Sequence, residues 1–84
     1  MVYVDRMKAK VGRLVMSHML ADSTEELMAM ADQIGVDRSW IQHAGTPKEH
    51  FDVCQSKKRL ALQAGAKEVG RREIANLIRA RRSA

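Results

Sequence analysis

The sequence predicts an α/β fold, a small mixed sheet of three to four short strands with three helices. Short apolar runs rich in β-branched residues alternate along the chain with segments whose apolar residues recur at helical spacing. A glycine follows two of these helical segments where a helix is expected to end. Because 84 residues leave room for one modest core, residues 1–84 are predicted to form a single domain.

The N-terminal part predicts two strands. Val2–Val4 is a short β-forming run, and Arg13–Ala21 is a longer apolar run without a helix cap, so we expect it to be covered on both faces. One of its faces would carry Leu14, Met16, His18 and Leu20. The segment Arg6–Gly12 is predicted to be a loop. It is too short for a helical crossover, so the two strands should be antiparallel.

The first helix has signals at both ends. Ser23 and Glu26 have the spacing of a capping box, in which each side chain bonds the backbone of the other residue. Apolar residues then recur with helical period at Leu27, Met30, Ala31 and Ile34. Gly35 is predicted to end the helix in the left-handed conformation.

The second half predicts two further strands and a helix. Ser39–Gln42 reads as a third short strand, broken by residues 44–47. Lys57–Ala64 reads as a helix with Ser56 as its N-cap and Gly65 as its stop. Its inward side chains are predicted to be Leu60, Ala61 and Ala64. Lys67–Val69 is a candidate fourth strand.

Residues 71–84 predict a basic C-terminal helix, whose apolar stripe is Ile74, Leu77 and Ile78. The net charge of +5 is uneven, since nine basic and two acidic residues follow from Lys57 onward. Such a basic end favours a polyanion, usually nucleic acid, as partner, although a solvated helix face is the alternative. The predicted nucleic-acid contacts are Arg71, Arg72, Arg79, Arg81 and Arg82.

Cysteine content and hydropathy bear on location. A single cysteine, Cys54, excludes an internal disulfide and suits a reducing cytoplasm. No run approaches the roughly 18 apolar residues of a membrane span, so we predict a cytoplasmic protein without a membrane partner. Because a core with few aromatics and six methionines specifies packing weakly, a homodimer is plausible.

The segment Thr46–Gly65 concentrates the chain's possible chemistry. Its His50 and Asp52 alternate with apolar residues and precede a cationic helix start, where an anion is stabilised. We predict a ligand- or phosphate-binding cluster formed by His18, Asp22, His50, Asp52, Ser56, Lys58 and Arg59. The same polar side chains could instead form a structural hydrogen-bonded network.

A metal site is the less favoured interpretation. His50, Asp52 and Cys54 would lie on one side of an extended segment, but their spacing matches no established metal motif. The sequence therefore predicts no metal and no cofactor, with a divalent metal as the alternative. The leading function is binding of a phosphorylated ligand or nucleic acid. The alternatives are a metal-dependent phosphodiesterase or nuclease, and a non-catalytic, self-associating or protein-interaction accessory protein.

Four segments resemble the bacterial and phage family called domain of unknown function 4031: VYVDRM, GRLVMSHMLADSTEEL, MADQIGVDRSW and HFDVCQSKKRLALQAGAKEV. The resemblance extends through Val69 and leaves the arginine-rich end after Gly70 outside. It implies recurrent polar positions at Asp5, His18, Asp22, Trp40, His50, Asp52, Ser56, Lys58 and Arg59. The family more often has tyrosine where Phe51 stands. The resemblance implies a phage or bacterial cytoplasmic accessory protein and brings no reaction with it.

Overall fold

A computed structural model describes residues 1–83 and confirms the α/β class, with five strands rather than three to four. The strands are β1 (Val2–Asp5), β2 (Ala9–Val11), β3 (Leu14–Ala21), β4 (Phe51–Cys54) and β5 (Lys67–Val69). The helices are α1 (Thr24–Ile34), α2 (Gln55–Gln63) and α3 (Arg71–Ser83), with a short 3-10 helix at Arg38–Trp40. Among residues 1–83, no helix is long and apolar enough to cross a membrane.

Strand β3 is the centre of the sheet. Met19 pairs with Val4 on one side and with Phe51 on the other, so β1 and β4 lie on opposite edges of β3. Strand β2 pairs with the first half of β3 on the same edge as β1. Strand β5 adds to β1 in parallel. The predicted antiparallel pairing of β1 with β3 is confirmed.

The core lies between one face of the sheet and helices α1 and α2. Its fully buried side chains include Val4, Met19, Leu27, Ala31, Phe51, Val53 and Ala61. Helix α3 covers part of the other face, because Ile74 and Ile78 border a cavity together with His18 and Leu20 of β3. Alternation along β3 therefore separates a dry face from a face that carries polar groups.

Helix α1 begins after the predicted Ser23 cap and ends at the predicted Gly35, although the Glu26 carboxylate accepts from the Ser23 hydroxyl rather than from the Ser23 N–H. Ser23 Oγ accepts a hydrogen bond from the Glu26 N–H, and Gly35 has φ 78°. The Val36 N–H then donates to the Ala31 carbonyl at 2.8 Å, which satisfies one of the last carbonyls of the helix.

Two predictions about local structure were wrong. Arg6–Gly12 is not all loop, because Gly12 adopts φ 61° and allows a two-residue turn that pairs β2 with β3. The segment around Ser39 is not a strand. The Asp37 carboxylate accepts the Ser39 N–H at 2.9 Å, which starts a 3-10 turn and leaves Trp40 66% exposed.

The region of β4 and α2 also differs from the prediction. Phe51–Cys54 is a full strand, and α2 begins at Gln55 with Cys54, not Ser56, at the N-cap. Leu60 is 43% exposed rather than inward. Lys58 takes the buried position, with 6% exposure, because its ammonium group pairs with Glu68.

Candidate functional site

Three adjacent strands place polar residues in one row on the face of the sheet away from the core. His18 of β3 lies opposite Asp52 of β4. Because Val4 lies opposite Met19, the next residue of β1, Asp5, lies beside His18 on the other edge. His50 immediately precedes β4 and shares the face of Asp52. The fold thus brings together four polar side chains from three segments.

A buried carboxylate fixes the orientation of His18. Asp5 is 2% exposed, and its Oδ1 accepts the His18 backbone N–H at 3.0 Å. Its Oδ2 lies 2.7 Å from His18 Nδ1. A carboxylate oxygen is an acceptor, so His18 Nδ1 carries the proton and Nε2 is left to face the solvent side.

His50 is oriented in the same way by a backbone group. Its Nδ1 lies 2.9 Å from the Lys48 carbonyl oxygen, which can only accept, so Nε2 of the neutral ring is again unprotonated. His18 Nε2 and His50 Nε2 lie 3.7 and 3.6 Å from the same atom, Asp52 Oδ1. The other oxygen of Asp52 accepts a 2.6 Å hydrogen bond from Gln42 Nε2.

A cavity of about 200 Å³ opens beside these groups. It is lined by His18, Leu20, His43, Lys48, His50, Ile74 and Ile78. The His18 side chain is 36% exposed and that of Asp52 is 31% exposed, so solvent reaches the cluster. The site therefore combines an apolar wall from α3 with nitrogen-bearing side chains from β3 and the loop before β4.

Asp22 does not join this cluster. It lies four residues beyond His18, a distance of roughly 13 Å along an extended strand. Its carboxylate accepts hydrogen bonds of 3.2 Å from the Tyr3 hydroxyl and lies 3.3 Å from the N-terminal ammonium group. Burial, together with the negative charge and hydrogen bond of Asp22, raises the pKa of Tyr3.

Ser56, Lys58 and Arg59 also lie apart from the two histidines. Lys58 Nζ is 2.9 Å from Glu68 Oε2, and the hydrogen bond from Lys58 lowers the pKa of Glu68. Arg59 is exposed and borders a separate depression with Lys58 and Glu68. Ser56 Oγ lies 3.2 Å from Cys54 Sγ, and this contact, with backbone N–H groups at the start of α2, lowers the pKa of the Cys54 thiol.

The arginines of α3 fall into two groups. Arg81 is directed inward, with Nη1 2.9 Å from Glu49 Oε2 and Nη2 3.3 Å from Thr24 Oγ1. The exposed arginines of this helix are Arg71, Arg72, Arg79 and Arg82. Arg71 Nη2 additionally lies 3.9 Å from Met7 Sδ. The sequence pattern could not separate these groups, because the partner of Arg81 is more than 30 residues away.

Other residues of the site carried little sequence signal. Asp5 entered only through the family resemblance, although strand alternation from Tyr3 would have placed it on the face of His18 if the register had been known. Gln42 and Lys48 act through a side-chain amide and a backbone carbonyl. Neither group is visible in a motif search. Both positions depend on the loop that returns to β4.

The family model described as "Protein of unknown function (DUF4031)" matches residues 2–81. This match includes most of α3, so the family extends beyond Gly70, where the resemblance in the sequence segments ended. No curated protein and no solved structure is detectably similar to the chain. Because the match covers nearly the whole sequence, the protein belongs to the DUF4031 family of unknown function.

Proposed function

We propose that the protein binds a phosphorylated ligand, and that this ligand is a nucleic acid. The observation that carries the proposal is the cavity beside β4, where four nitrogen-bearing side chains converge: His18, His43, Lys48 and His50. The Lys48 ammonium group is a donor suited to phosphate oxygens, and an imidazole that takes up a second proton donates from both of its ring nitrogens. The apolar side of the same cavity, formed by Ile74 and Ile78, can contact a base or a sugar.

The exposed side of α3 supports an extended polyanion rather than a lone phosphate. At 3.6 residues per turn, Arg72, Arg79 and Arg82 fall within about 80° of one another around the helix. All three are exposed; Arg72 and Arg79 face away from the side of α3 that carries Ile74 and Ile78, whereas Arg82 lies at the border of that side, about 40° from Ile78. A stripe of guanidinium groups matches a phosphate backbone and carries no base-reading pattern, so binding should be largely independent of sequence.

Fluorescence anisotropy with labelled single- and double-stranded oligonucleotides at 50 and 200 mM salt tests this proposal. We expect affinity to fall as salt rises, because phosphate contacts release counterions. Replacing Arg72, Arg79 and Arg82 together with glutamine should reduce the slope of log affinity against log salt by up to about 2.7 on duplex DNA. Absence of salt-sensitive binding to every probe would refute the proposal.

A charge-matched control separates the stripe from the overall charge. Lys8, Lys10 and Arg13 are exposed in and around the β2–β3 hairpin, and replacing them with glutamine removes the same three charges. This variant should bind more tightly than the α3 variant. Equal loss in both variants would show that net charge, rather than the α3 stripe, governs binding.

A second candidate function is metal-assisted phosphodiester cleavage. It is favoured by His18, His50 and Asp52, which each offer one ligand atom with all three atoms within 4.8 Å of one another. Incubation with Mg²⁺, Mn²⁺ or Zn²⁺ and a panel of nucleic acids tests it. Cleavage that persists in both His50→Ala and Asp52→Ala would exclude these residues from the reaction.

Self-association is a further proposal from the sequence. It is favoured by Val11 and Leu14 at the hairpin, which are 57% and 54% exposed. Met19 and Met30, in contrast, are buried in the core, with 0% and 7% exposure. Light scattering across a concentration series distinguishes a dimer from a monomer. A cytoplasmic location and a phage or bacterial origin also stay predictions.

A further inference from the structure

The His18–His50–Asp52 cluster has an internal arrangement that phosphate binding alone does not explain. Three potential ligand atoms converge: His18 Nε2, His50 Nε2 and Asp52 Oδ1. The two Nε2–Oδ1 separations of 3.7 and 3.6 Å exceed the length of a hydrogen bond. Since Nδ1 of each histidine is engaged elsewhere, both Nε2 atoms are directed at the same carboxylate oxygen.

We propose that these three side chains bind one divalent transition-metal ion. Metal bonds of about 2.0–2.2 Å at angles of about 90–110° place neighbouring ligand atoms about 2.8–3.6 Å apart. The two Nε2–Oδ1 separations of 3.7 and 3.6 Å lie at or just above the upper end of this range, and all three ligand atoms lie within 4.8 Å of one another, so side-chain rotation would have to close the remaining difference. Two imidazoles and one carboxylate favour Zn²⁺, Fe²⁺, Co²⁺ or Mn²⁺ over Ca²⁺, which prefers oxygen ligands.

The surroundings of the ligands are those of a metal centre. Ligating histidines commonly donate their second ring N–H to a carboxylate or a backbone carbonyl, which fixes the tautomer and aims the free nitrogen. His18 does so to buried Asp5 at 2.7 Å, and His50 to the Lys48 carbonyl at 2.9 Å. The Gln42 amide likewise holds the second oxygen of Asp52. Asp5 is thus a positioning residue for His18.

Three protein ligands leave coordination positions for water or a ligand oxygen. The cavity of about 200 Å³ adjoins His18 and His50, so such a group can reach an ion at the cluster. The ion would also offset the negative charge of Asp52, which otherwise opposes an anion in this cavity. The metal inference goes beyond the proposed nucleic-acid binding and does not depend on it.

Titration of metal-free, tag-free protein tests the inference. Calorimetry with Zn²⁺ and visible absorption with Co²⁺ are expected to show one ion per chain. His18→Ala, His50→Ala and Asp52→Asn should each weaken binding by more than tenfold. Asp5→Asn leaves the ligands in place and should weaken it by about 10–100-fold, with a changed Co²⁺ spectrum.

Asp22→Asn is the matched control for Asp52→Asn, because it makes the same change at an exposed carboxylate that lies outside the cluster. It should bind as the wild type does. Far-UV circular dichroism identifies variants that fail to fold, and half-buried His50 and Asp52 are expected to tolerate replacement. Failure of Zn²⁺, Co²⁺ and Mn²⁺ to bind the wild type would overturn the inference. Unchanged affinity in folded His50→Ala and Asp52→Asn would do the same.

Discussion

Replacing Arg81 with alanine is expected to destabilise the fold. Arg81 Nη1 lies 2.9 Å from Glu49 Oε2, and Glu49 is 0% exposed. Without the guanidinium, the buried carboxylate keeps only the Thr24 hydroxyl and the Gly45 N–H as donors. Removing one partner of a buried pair costs about 3–5 kcal/mol. Because the Arg81 side chain is itself 20% exposed, we expect the lower end, about 3 kcal/mol.

Thermal and urea unfolding followed by circular dichroism measure this effect. For a domain of this size, about 3 kcal/mol corresponds to a fall in Tm of about 12–24 °C. Arg82→Ala is the matched control, because Arg82 is the exposed neighbour on the same helix and removes the same charge. If Arg81→Ala and Arg82→Ala unfold at the same temperature, the Arg81–Glu49 contact does not stabilise the fold and the reasoning fails.

The same contact predicts a pH dependence. Burial raises the pKa of Glu49, but the hydrogen bond from Thr24, the adjacent Arg81 guanidinium and the Gly45 N–H outweigh it, and the pKa lies below its usual value. A carboxyl with a lowered pKa in the folded state stabilises the protein above its unfolded pKa, and this stability is lost as pH falls through the folded pKa. The difference in stability between wild type and Arg81→Ala should therefore narrow in acid. A constant difference from pH 7 to pH 3 would contradict this assignment.

Three further predictions concern α1 and α2. Lys58→Met should change the affinity for nucleic acid by no more than about twofold, because the Lys58 ammonium group is paired with Glu68. A loss of about tenfold in a folded variant would show that Lys58 contributes to binding. Ser56→Ala should raise the pKa of the Cys54 thiol, because the Ser56 hydrogen bond contributes most to lowering that pKa. Alkylation of Cys54 by iodoacetamide at pH 7.5 should therefore be slower than in the wild type. An unchanged dependence of the alkylation rate on pH would contradict this prediction. Gly35→Val should reduce the free energy of unfolding by at least about 1–2 kcal/mol in urea, because φ 78° is unfavourable for a β-branched residue; an unchanged midpoint would count against the left-handed stop.

The fold was predictable where local chemistry fixes the backbone. Ser23 and Gly35 define α1 because a capping hydroxyl and a left-handed glycine act within four residues of the helix ends. The prediction of which side chains are buried failed where a residue from another segment supplies the contact. Lysine is usually a surface residue, but the Lys58 ammonium group pairs with Glu68 on β5 and its side chain is buried. Trp40 has a large apolar side chain that would be expected in the core, but it lies in a 3-10 turn and is exposed.

The candidate site was predictable in part for the same reason. Alternation places His50 and Asp52 on one side of an extended segment without knowledge of the fold. Bringing His18 to them requires the register of β3 against β4, which depends on packing along the whole sheet. Asp22 was predicted to join this cluster. The strand instead carries it toward the N-terminus, where it contacts Tyr3.

Charge partners decide which basic residues are available to a ligand. Arg81 and Lys58 are held by Glu49 and Glu68, whose carboxylates come from other segments of the chain. A polyanion would have to displace these contacts and leave a carboxylate uncompensated, at a cost that grows with burial. Binding of a polyanion to the arginines of the α3 stripe would not break a buried ion pair, because these side chains are exposed. The proposed interaction with a polyanion would therefore depend on where the fold leaves positive charge uncompensated, and the outer face of α3 is one such place.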